Sequence, residues 1–288
     1  MGRKVQGRSP NRSPAPDDPC MTVRARPAIF GIVNITRDSF SDGGCFLAAA
    51  DAVRHARAQL EAGADILDLG AAASNPSAEP VTPEEEIARL EPLMKAGIDP
   101  ARISIDSFAP ETQAWALDQG AGWLNDIQGF PDPGLYPRLA RASARLVVMH
   151  NITGRGIARV TETDPATIMQ RLFAFFDARV EALRAAGIER ARLVLDPGMG
   201  YFLGSDPEVS LAVLRHLPEL QARYGLPLLV SVSRKSFIRN LAKVDTPGSG
   251  AATLSAELFA ASRGAGFIRT HDVAALRQAL DVWQPLQG

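Results

Sequence analysis

Short apolar runs alternate with longer amphipathic segments along almost the whole of this chain. The eight apolar runs are residues 28–33, 65–69, 103–105, 123–124, 146–149, 193–195, 228–232 and 267–268. Between them, apolar positions recur with a helical period in "LAAADAVRHARAQLEAGA", "TPEEEIARLEPLMKAG" and "ATIMQRLFAFFDARVEALRAAG", and several such segments end in a glycine suited to a left-handed cap. A strand followed by a helix, eight times over, predicts a parallel (β/α)8 TIM barrel of the α/β class.

An open, doubly wound sheet shows the same local alternation and is the alternative architecture. Such a sheet needs fewer strands or a second domain to account for 288 residues, whereas a single barrel needs about 250. The pattern therefore favours one barrel domain over residues 22–288. In a barrel, functional side chains follow the carboxyl ends of the strands.

Residues 1–21 differ in composition from the rest of the chain. They are rich in Arg, Pro, Ser and Asp and show no periodicity, so they cannot bury enough apolar surface to offset the entropy of ordering. We expect a disordered tail whose deletion leaves activity intact. Met21, just before the first apolar run, is an alternative start of translation.

The overall composition argues against several classes of protein. With 46% hydrophobic residues and a net charge of -1, the chain can bury a sizeable core and is not suited to a nucleic acid partner. Its two cysteines, Cys20 and Cys45, lack the spacing of a disulfide framework or a metal site, which fits a reducing cytoplasm. No apolar run approaches the roughly 20 residues that span a bilayer, so we expect a soluble cytoplasmic protein without a membrane partner.

Three polar residues at strand ends indicate a site for a flat ligand. Asp106, Asn125 and Asp196 follow three different predicted strands, so in a closed barrel they converge on one mouth. A carboxylate accepts two adjacent N–H groups of an aminopyrimidinone ring, and an asparagine both donates to and accepts from the same edge. A single aspartate at such a position is more simply a helix cap, but three together favour a binding site.

Two further clusters supply positive charge and hydrogen-bond donors. "SVSRKSF" places Lys235 and Ser236 after the seventh run, where barrels commonly hold phosphates, although a solvated Arg-Lys pair is an alternative. "FIRTHD" places Arg269 and His271 two residues apart, hence on the same side of an extended chain. Both suit a diphosphate, and His271 can also protonate a leaving oxygen. A salt bridge that caps the last helix is the alternative for this pair.

Two long polar segments, after the first and second runs, predict mobile loops. "NITRDSFSDGG" ends in paired glycines, and "GAAASNPSAEPV" precedes a helix start at Thr82 and Pro83. Asn34, at the root of the first loop, can give an oxygen to Mg²⁺, which commonly uses few protein ligands together with substrate phosphates.

Taken together, "IFGIVNITRDSFSDGG", "LDPGMGYFLG", "SVSRKSF" and "FIRTHD" resemble the dihydropteroate synthase family in order and spacing, from Ile29 to about Asp272. The resemblance implies a usually homodimeric barrel that couples 6-hydroxymethyl-7,8-dihydropterin diphosphate to p-aminobenzoate and releases pyrophosphate. It also implies that pyrophosphate leaves first and that the arylamine then attacks a pterin methylene cation.

The resemblance assigns a role to each candidate residue, with Lys235, Arg269, His271 and Asp106 as the catalytic group. Asp106, Asn125, Asp196 and Lys235 are expected to hold the pterin ring, and Asn34, Arg269 and His271 to hold the diphosphate and Mg²⁺. The positions expected to border the arylamine pocket are Ser236, Phe40 and Pro76. Ser74 of the second loop is also expected to bind substrate, since it keeps a hydroxyl where threonine is usual.

Both loops depart from the usual pattern of the family. Arg37 replaces a proline in the first loop, and the second loop, usually Gly-Glu-Ser-Thr-Arg-Pro-Gly, appears as residues 71–77 with only Pro76 unchanged. Asn75 stands where an arginine is usual. With "GFPDPGLYP" and "GMGYFLG", these loops resemble the acquired sulfonamide-insensitive branch of the family, so we expect insensitivity to sulfonamides.

Two other functions share part of this pattern. A pterin-binding barrel that passes a methyl group from methyltetrahydrofolate to a corrinoid protein would share the Asp and Asn ring contacts but needs no diphosphate ligands. A barrel that binds a pterin without catalysis is the other alternative, because the loops are altered. The "SVSRKS" and "IRTHD" groups favour the synthase.

Overall fold

The computed structural model describes residues 26–35, 44–72, 80–153 and 162–287 of the chain. The expected tail over residues 1–21 and most of both expected mobile loops lie outside these ranges, as do Arg37, Phe40, Ser74, Asn75 and Pro76. Asn34 and every candidate residue from Asp106 onward lie within them.

Eight parallel strands form one sheet in the order β6-β5-β4-β3-β2-β1-β8-β7. The strands are β1 Ala28–Asn34, β2 Ile66–Gly70, β3 Ile103–Asp106, β4 Trp123–Asp126, β5 Arg145–Met149, β6 Leu193–Asp196, β7 Leu229–Val230 and β8 Phe267–Thr270. The two end strands meet through a parallel bridge between Leu195 and Leu228, where the Leu195 N–H donates to the Pro227 carbonyl at 3.0 Å. The predicted (β/α)8 barrel is therefore confirmed, and the open doubly wound sheet is wrong.

Helices follow the strands and cover the outside of the barrel. They are α1 Gly44–Glu61, α2 Pro83–Met94, α3 Pro110–Asp118, α4 Tyr136–Arg141, α5 Ile168–Ala185, α6 Pro207–Arg215, α7 Leu217–Tyr224, α8 Ser236–Ala242, α9 Gly250–Ser262 and α10 Val273–Leu286. None of the helices in the described ranges is both long and apolar enough to cross a membrane.

Local signals in the sequence set several helix boundaries correctly. Thr82 caps α2, because its hydroxyl accepts from the Glu85 N–H while the Glu85 carboxylate accepts from the Thr82 N–H. After α2 and α5, Gly97 and Gly187 take φ values of +74° and +84°, which side chains rarely adopt. The predicted glycine ends of these helices are confirmed.

Several strand boundaries differ from the apolar runs. The predicted strands ended before Asp106 and Asp196, but β3 and β6 include these residues because backbone hydrogen bonds, not side-chain polarity, define the ladder. The predicted seventh strand, residues 228–232, shrinks to Leu229–Val230, since Ser231 and Val232 already leave the ladder. The functional carboxylates are thus held by regular strand backbone rather than by loops.

The amino-terminal end of the barrel is closed by aromatic side chains. Phe30 of β1 meets Trp123 of β4 with ring centroids 5.1 Å apart, and both contact Phe267 of β8 edge to face. Because β1 and β4 are not neighbours in the sheet, these rings meet across the barrel interior. The guanidinium of Arg145 lies 4.4 Å from the Trp123 ring centre. A ligand therefore enters from the carboxyl ends of the strands.

Candidate active site

A small cavity opens at the carboxyl ends of the strands. Its polar lining includes Asp106, Asn125, Asp196, Lys235 and Arg269, and its apolar lining includes Met149, Met199 and Phe202. The structure thus brings together residues that are up to 163 positions apart in the chain, as barrel geometry predicts. A cavity that combines apolar side chains with a few polar groups at its floor suits an aromatic heterocycle.

Asp106 ends β3 and faces this cavity with a partly buried carboxyl group. Its Oδ2 accepts a hydrogen bond of 2.6 Å from Nη2 of Arg269. Burial raises the pKa of Asp106 to about 7, because removal from water disfavours the charge more than Arg269 stabilises it. The protonation of this carboxyl group is therefore poised close to neutral pH.

Asn125 of β4 presents an unpaired acceptor at the floor of the cavity. The residue is only 2% exposed, and its Nδ2 donates to the Asp68 carboxylate at 3.3 Å. Its Oδ1 is buried and has no hydrogen-bond partner among the described residues. A buried acceptor left unpaired costs free energy, so the geometry calls for a donor from a ligand.

Asp196 ends β6 and is held by the tight turn that follows it. Its Oδ1 accepts from the Gly198 N–H at 2.7 Å. Gly198 has a φ of +72°, and a Cβ there would lie 2.6 Å from the His150 carbonyl oxygen, so the turn requires glycine. Burial raises the pKa of Asp196 to about 6, against the opposing effects of the Gly198 N–H and Lys235.

Lys235 precedes α8 and directs its ammonium group into the cavity, 4.7 Å from the ring centre of Phe202. Desolvation lowers the pKa of Lys235 to about 8, and Arg269 adds to this effect while Asp196 opposes it. Its neighbour Arg234 is exposed to solvent. The interpretation of the pair as two solvated charges therefore holds for Arg234 and is wrong for Lys235.

Arg269 of β8 is anchored by two carboxylates inside the barrel. Its Nε donates to Asp68 Oδ2 at 2.5 Å and its Nη2 donates to Asp106 Oδ2. Burial disfavours its charge, but the two carboxylates more than offset this and raise the pKa of Arg269 above its usual range. The alternative of a salt bridge capping the last helix is wrong, because the Asp272 side chain caps α10 at the Ala275 N–H.

His271 lies beside Ser233 at the junction of the seventh and eighth strand ends. Its Nδ1 is 2.9 Å from the Ser233 Oγ, and its backbone N–H donates to the same oxygen at 3.2 Å. The Gln59 side chain donates to the His271 carbonyl at 3.1 Å. Burial and the nearby Arg234 and Arg269 charges lower the pKa of His271 to about 3. His271 is therefore a neutral hydrogen-bonding group at neutral pH.

Asn34 ends β1 at the exposed rim of the barrel. A Cβ built on Gly70 would lie 3.4 Å from Asn34 Oδ1 and 3.7 Å from Asp106 Oδ2, so both oxygens border the space left open by this glycine. Within the described ranges, no group of three or more His, Cys, Asp or Glu side chains forms a metal site. One neutral oxygen beside a carboxylate fits Mg²⁺ held largely by the phosphates of a substrate.

Comparison with known proteins decides the family. Residues 30–271 match the family model described as pterin binding enzyme. The dihydropteroate synthase type-2 of Escherichia coli is 54% identical over 260 residues, which cover 90% of this chain and 96% of that protein. The chain belongs to the dihydropteroate synthase family. The type-1 enzyme of Pseudomonas aeruginosa is 51% identical over 254 residues, which cover 88% of this chain and 91% of that protein.

Solved structures of the family agree with this fold. A Xanthomonas albilineans dihydropteroate synthase with 4-aminobenzoic acid aligns with a TM-score of 0.83 and 36% identity, covering 92% of this chain and 94% of that one. The same enzyme in complex with 7,8-dihydropteroate aligns with a TM-score of 0.80 and 35% identity, covering 93% and 96%. The resemblance seen in the sequence motifs is thus confirmed.

Of the positions assigned to the arylamine pocket, the structure describes Ser236. Ser236 is the first residue of α8, and its Oγ lies 3.9 Å from where a Cβ on Gly200 would stand, so the "SRKS" and "GMGYF" segments adjoin. Phe40 and Pro76, the other positions assigned to the arylamine pocket, lie outside the described residues, as does Ser74.

Asp68 and Ser233 were not predicted as site residues, yet both contact residues that were. Asp68 contacts Arg269, and Ser233 contacts His271. A charged residue in the middle of the apolar run "ILDLG" was the available signal for Asp68.

Proposed function

We propose that this chain condenses 6-hydroxymethyl-7,8-dihydropterin diphosphate with p-aminobenzoate, forming 7,8-dihydropteroate and pyrophosphate in folate biosynthesis, and that sulfonamides do not inhibit it. The observation that carries the proposal is the cavity floor, where two carboxylates, an unpaired amide oxygen and an ammonium group meet between apolar walls. Relatives about half identical over nine tenths of the chain are dihydropteroate synthases. The activity is that of a transferase.

The cavity floor matches the hydrogen-bonding edge of a pterin. Asp106 and Asp196 present acceptors for the adjacent N–H groups of the ring, and Asn125 Oδ1 offers a third acceptor. Lys235 places a donor beside them for the ring carbonyl and nitrogen. A ligand that donates to Asn125 Oδ1 also pairs a buried acceptor that has no partner among the described residues.

The diphosphate is proposed to lie above this floor, where Arg269, His271 and Asn34 meet the rim. In the reaction the bond between the pterin methylene carbon and the diphosphate oxygen breaks, and its electron pair leaves with pyrophosphate. The arylamine nitrogen then forms the new carbon–nitrogen bond and loses a proton. Arg269 provides fixed positive charge near the departing oxygens, since its carboxylate partners hold it in place.

Mg²⁺ is proposed as the cofactor of this step. When bound, it supplies charge that stabilises the departing diphosphate. Asn34 Oδ1 would hold it, because this oxygen borders the open space beside Gly70. Neutral His271, fixed by Ser233, can donate a hydrogen bond to a phosphate oxygen without repelling the metal.

The arylamine is proposed to bind next to Ser236, Phe40 and Pro76, and Ser74 of the second altered loop is proposed to contact substrate through its hydroxyl. Substrate and sulfonamide share an aniline and differ beyond it, so changed residues at the rim can obstruct one and spare the other. Arg37, and Asn75 in place of the usual arginine, support insensitivity because they change the charge and the side chains of the two loop sequences from the family pattern.

A homodimer is proposed as the assembly. The groove between α6, α8 and α9 is mainly apolar, and Leu241 and Phe259 at its edge are 53% and 37% exposed. A second copy would remove this surface from water, which favours association. Light scattering should give twice the chain mass, and Leu241→Glu should shift the protein toward the monomer. A monomeric unmodified protein would contradict this assembly.

The enzyme is proposed to act in the cytoplasm.

Pyrophosphate release tests the function directly. The enzyme is mixed with pterin diphosphate, p-aminobenzoate and Mg²⁺, and pyrophosphate and dihydropteroate are measured with and without a sulfonamide. Equal amounts of both products are expected, at a rate that the sulfonamide does not change. A parallel assay with methyltetrahydrofolate and a corrinoid acceptor tests the alternative: methyl transfer there, without pyrophosphate release in the first assay, would support the methyltransferase. Pterin binding without turnover in either assay would support a noncatalytic barrel. Strong sulfonamide inhibition would refute insensitivity alone.

A further inference from the structure

Asp68 lies in the middle of β2, completely buried, and links side chains from three other strands. The Ser104 hydroxyl donates to its Oδ1 at 2.6 Å. The Asn125 Nδ2 donates to its Oδ2 at 3.3 Å, and the Arg269 Nε donates to the same oxygen at 2.5 Å. One carboxylate therefore orients both the amide and the guanidinium that face the cavity.

Asp68 itself lies outside the cavity lining among the described residues, whereas Asn125, Arg269 and Asp106 belong to it. The Arg269 guanidinium is shared between two acids of different exposure: the Asp106 side chain is 18% exposed and the Asp68 side chain 0%. Only Asp106 is therefore free to exchange Arg269 for a ligand. When it does so, the buried guanidinium needs a remaining counterion, because an unpaired charge in the barrel interior is costly.

We propose that Asp68 is a positioning residue for the pterin site: its carboxylate retains the Arg269 guanidinium and the Asn125 amide so that Asp106 becomes available to the pterin ring. This role rests on the proposed function. Without the Asp68 charge, Arg269 has Asp106 as its remaining carboxylate partner, and the pterin must compete with the guanidinium for that carboxylate.

The charge of Asp68 also acts on the titration of Asp106. Burial raises the pKa of Asp106, Arg269 opposes this, and the Asp68 charge adds to the rise. Removal of the Asp68 charge should therefore lower the pKa of Asp106. A pterin that needs the Asp106 carboxylate would then keep binding at a lower pH than in the unmodified enzyme, even though its maximal affinity falls.

Asp68→Asn tests this role because it keeps the size of the side chain and removes its charge. We expect KM for the pterin diphosphate to rise at least tenfold and KM for p-aminobenzoate to change less than twofold. The acidic limb of kcat/KM for the pterin should move to lower pH. The proposal would be overturned if Asp68→Asn had the KM values of the wild type and the same acidic limb in its kcat/KM profile.

Asp65→Asn, immediately before the first residue of β2, is the matched control. Asp65 accepts from Arg277 Nη2 at 3.1 Å and from the Ile29 N–H at 2.8 Å, far from the cavity. It should lose stability but keep both KM values and the pH profile. If Asp65→Asn reproduced the effects of Asp68→Asn, general loosening of the barrel would explain them and positioning would be excluded.

Ser104→Ala covers the case in which Asp68→Asn does not fold. It removes the 2.6 Å hydrogen bond to Asp68 without touching the cavity lining, and should raise KM for the pterin diphosphate several-fold. An unchanged KM would then count against the proposal.

Calorimetric binding of a pterin that lacks the diphosphate gives a readout independent of turnover. An unmodified enzyme that binds pterin but releases no pyrophosphate would refute the proposed function alone.

Discussion

Asp196→Asn should make the protein more stable at alkaline pH while it removes activity. The residue is 2% exposed, and burial raises its pKa from the ordinary 3.8 to about 6. A pKa difference of this size corresponds to about 3 kcal/mol, at about 1.4 kcal/mol for each pKa unit. Because the folded-state pKa is the higher one, ionisation opposes folding: the penalty is complete above pH 6 and disappears as the pH falls below 3.8.

The substitution suits this test because the asparagine oxygen can still accept from the Gly198 N–H, so the turn is preserved. Urea unfolding of both proteins at pH 4, 6 and 8 measures the difference. The variant should gain little at pH 4 and up to about 3 kcal/mol at pH 8. A gain of the same size at every pH, or a less stable variant at pH 8, would refute the reasoning. The expected pattern means that the site keeps a carboxylate at the expense of stability.

Three other substitutions separate binding from folding. Lys235→Ala should raise KM for the pterin diphosphate by at least tenfold, because a hydrogen bond to a charged group contributes about 1.5–3 kcal/mol. An unchanged KM in steady-state kinetics would contradict the role of the ammonium group. Phe30→Ala should lower the free energy of unfolding by about 3–5 kcal/mol, because it empties the aromatic closure of the barrel, yet leave KM unchanged at a temperature where the variant is folded. Gly198→Ala should lower the free energy of unfolding by about 2 kcal/mol or more and reduce kcat/KM. The reason is that the new Cβ would meet the His150 carbonyl oxygen and that φ at this position is positive. Denaturant unfolding and kinetics equal to those of the wild type would show that the turn tolerates a side chain.

Local pattern predicted much of the fold because barrel elements have short-range signatures. Apolar runs of strand length, the capping box at Thr82, and the glycines after α2 and α5 each reflect interactions within a few residues. The predicted ends of the strands were less exact. Asp106 and Asp196 belong to strands through backbone pairing, which the polarity of their side chains does not reveal. Eight strand–helix units are enough to place polar strand ends on one face.

The closed barrel decides which of those polar groups contact each other and which of them are protonated. Arg269 and Asp68 are 201 residues apart in the chain, and they meet because β2 and β8 lie on either side of β1 in the closed barrel. The lowered pKa of His271 and the raised pKa of Asp106 likewise follow from burial, which only packing creates.

The sequence by itself therefore determined the barrel, the family and the residue types at its mouth, because these depend on periodicity and on the order of motifs. Only the tertiary structure decided that Arg269 is anchored by two acids, that Lys235 points inward while Arg234 does not, and that Ser233 holds His271. The physical reason is that such contacts join distant strands, and a side chain's partners and desolvation exist only once the barrel has closed.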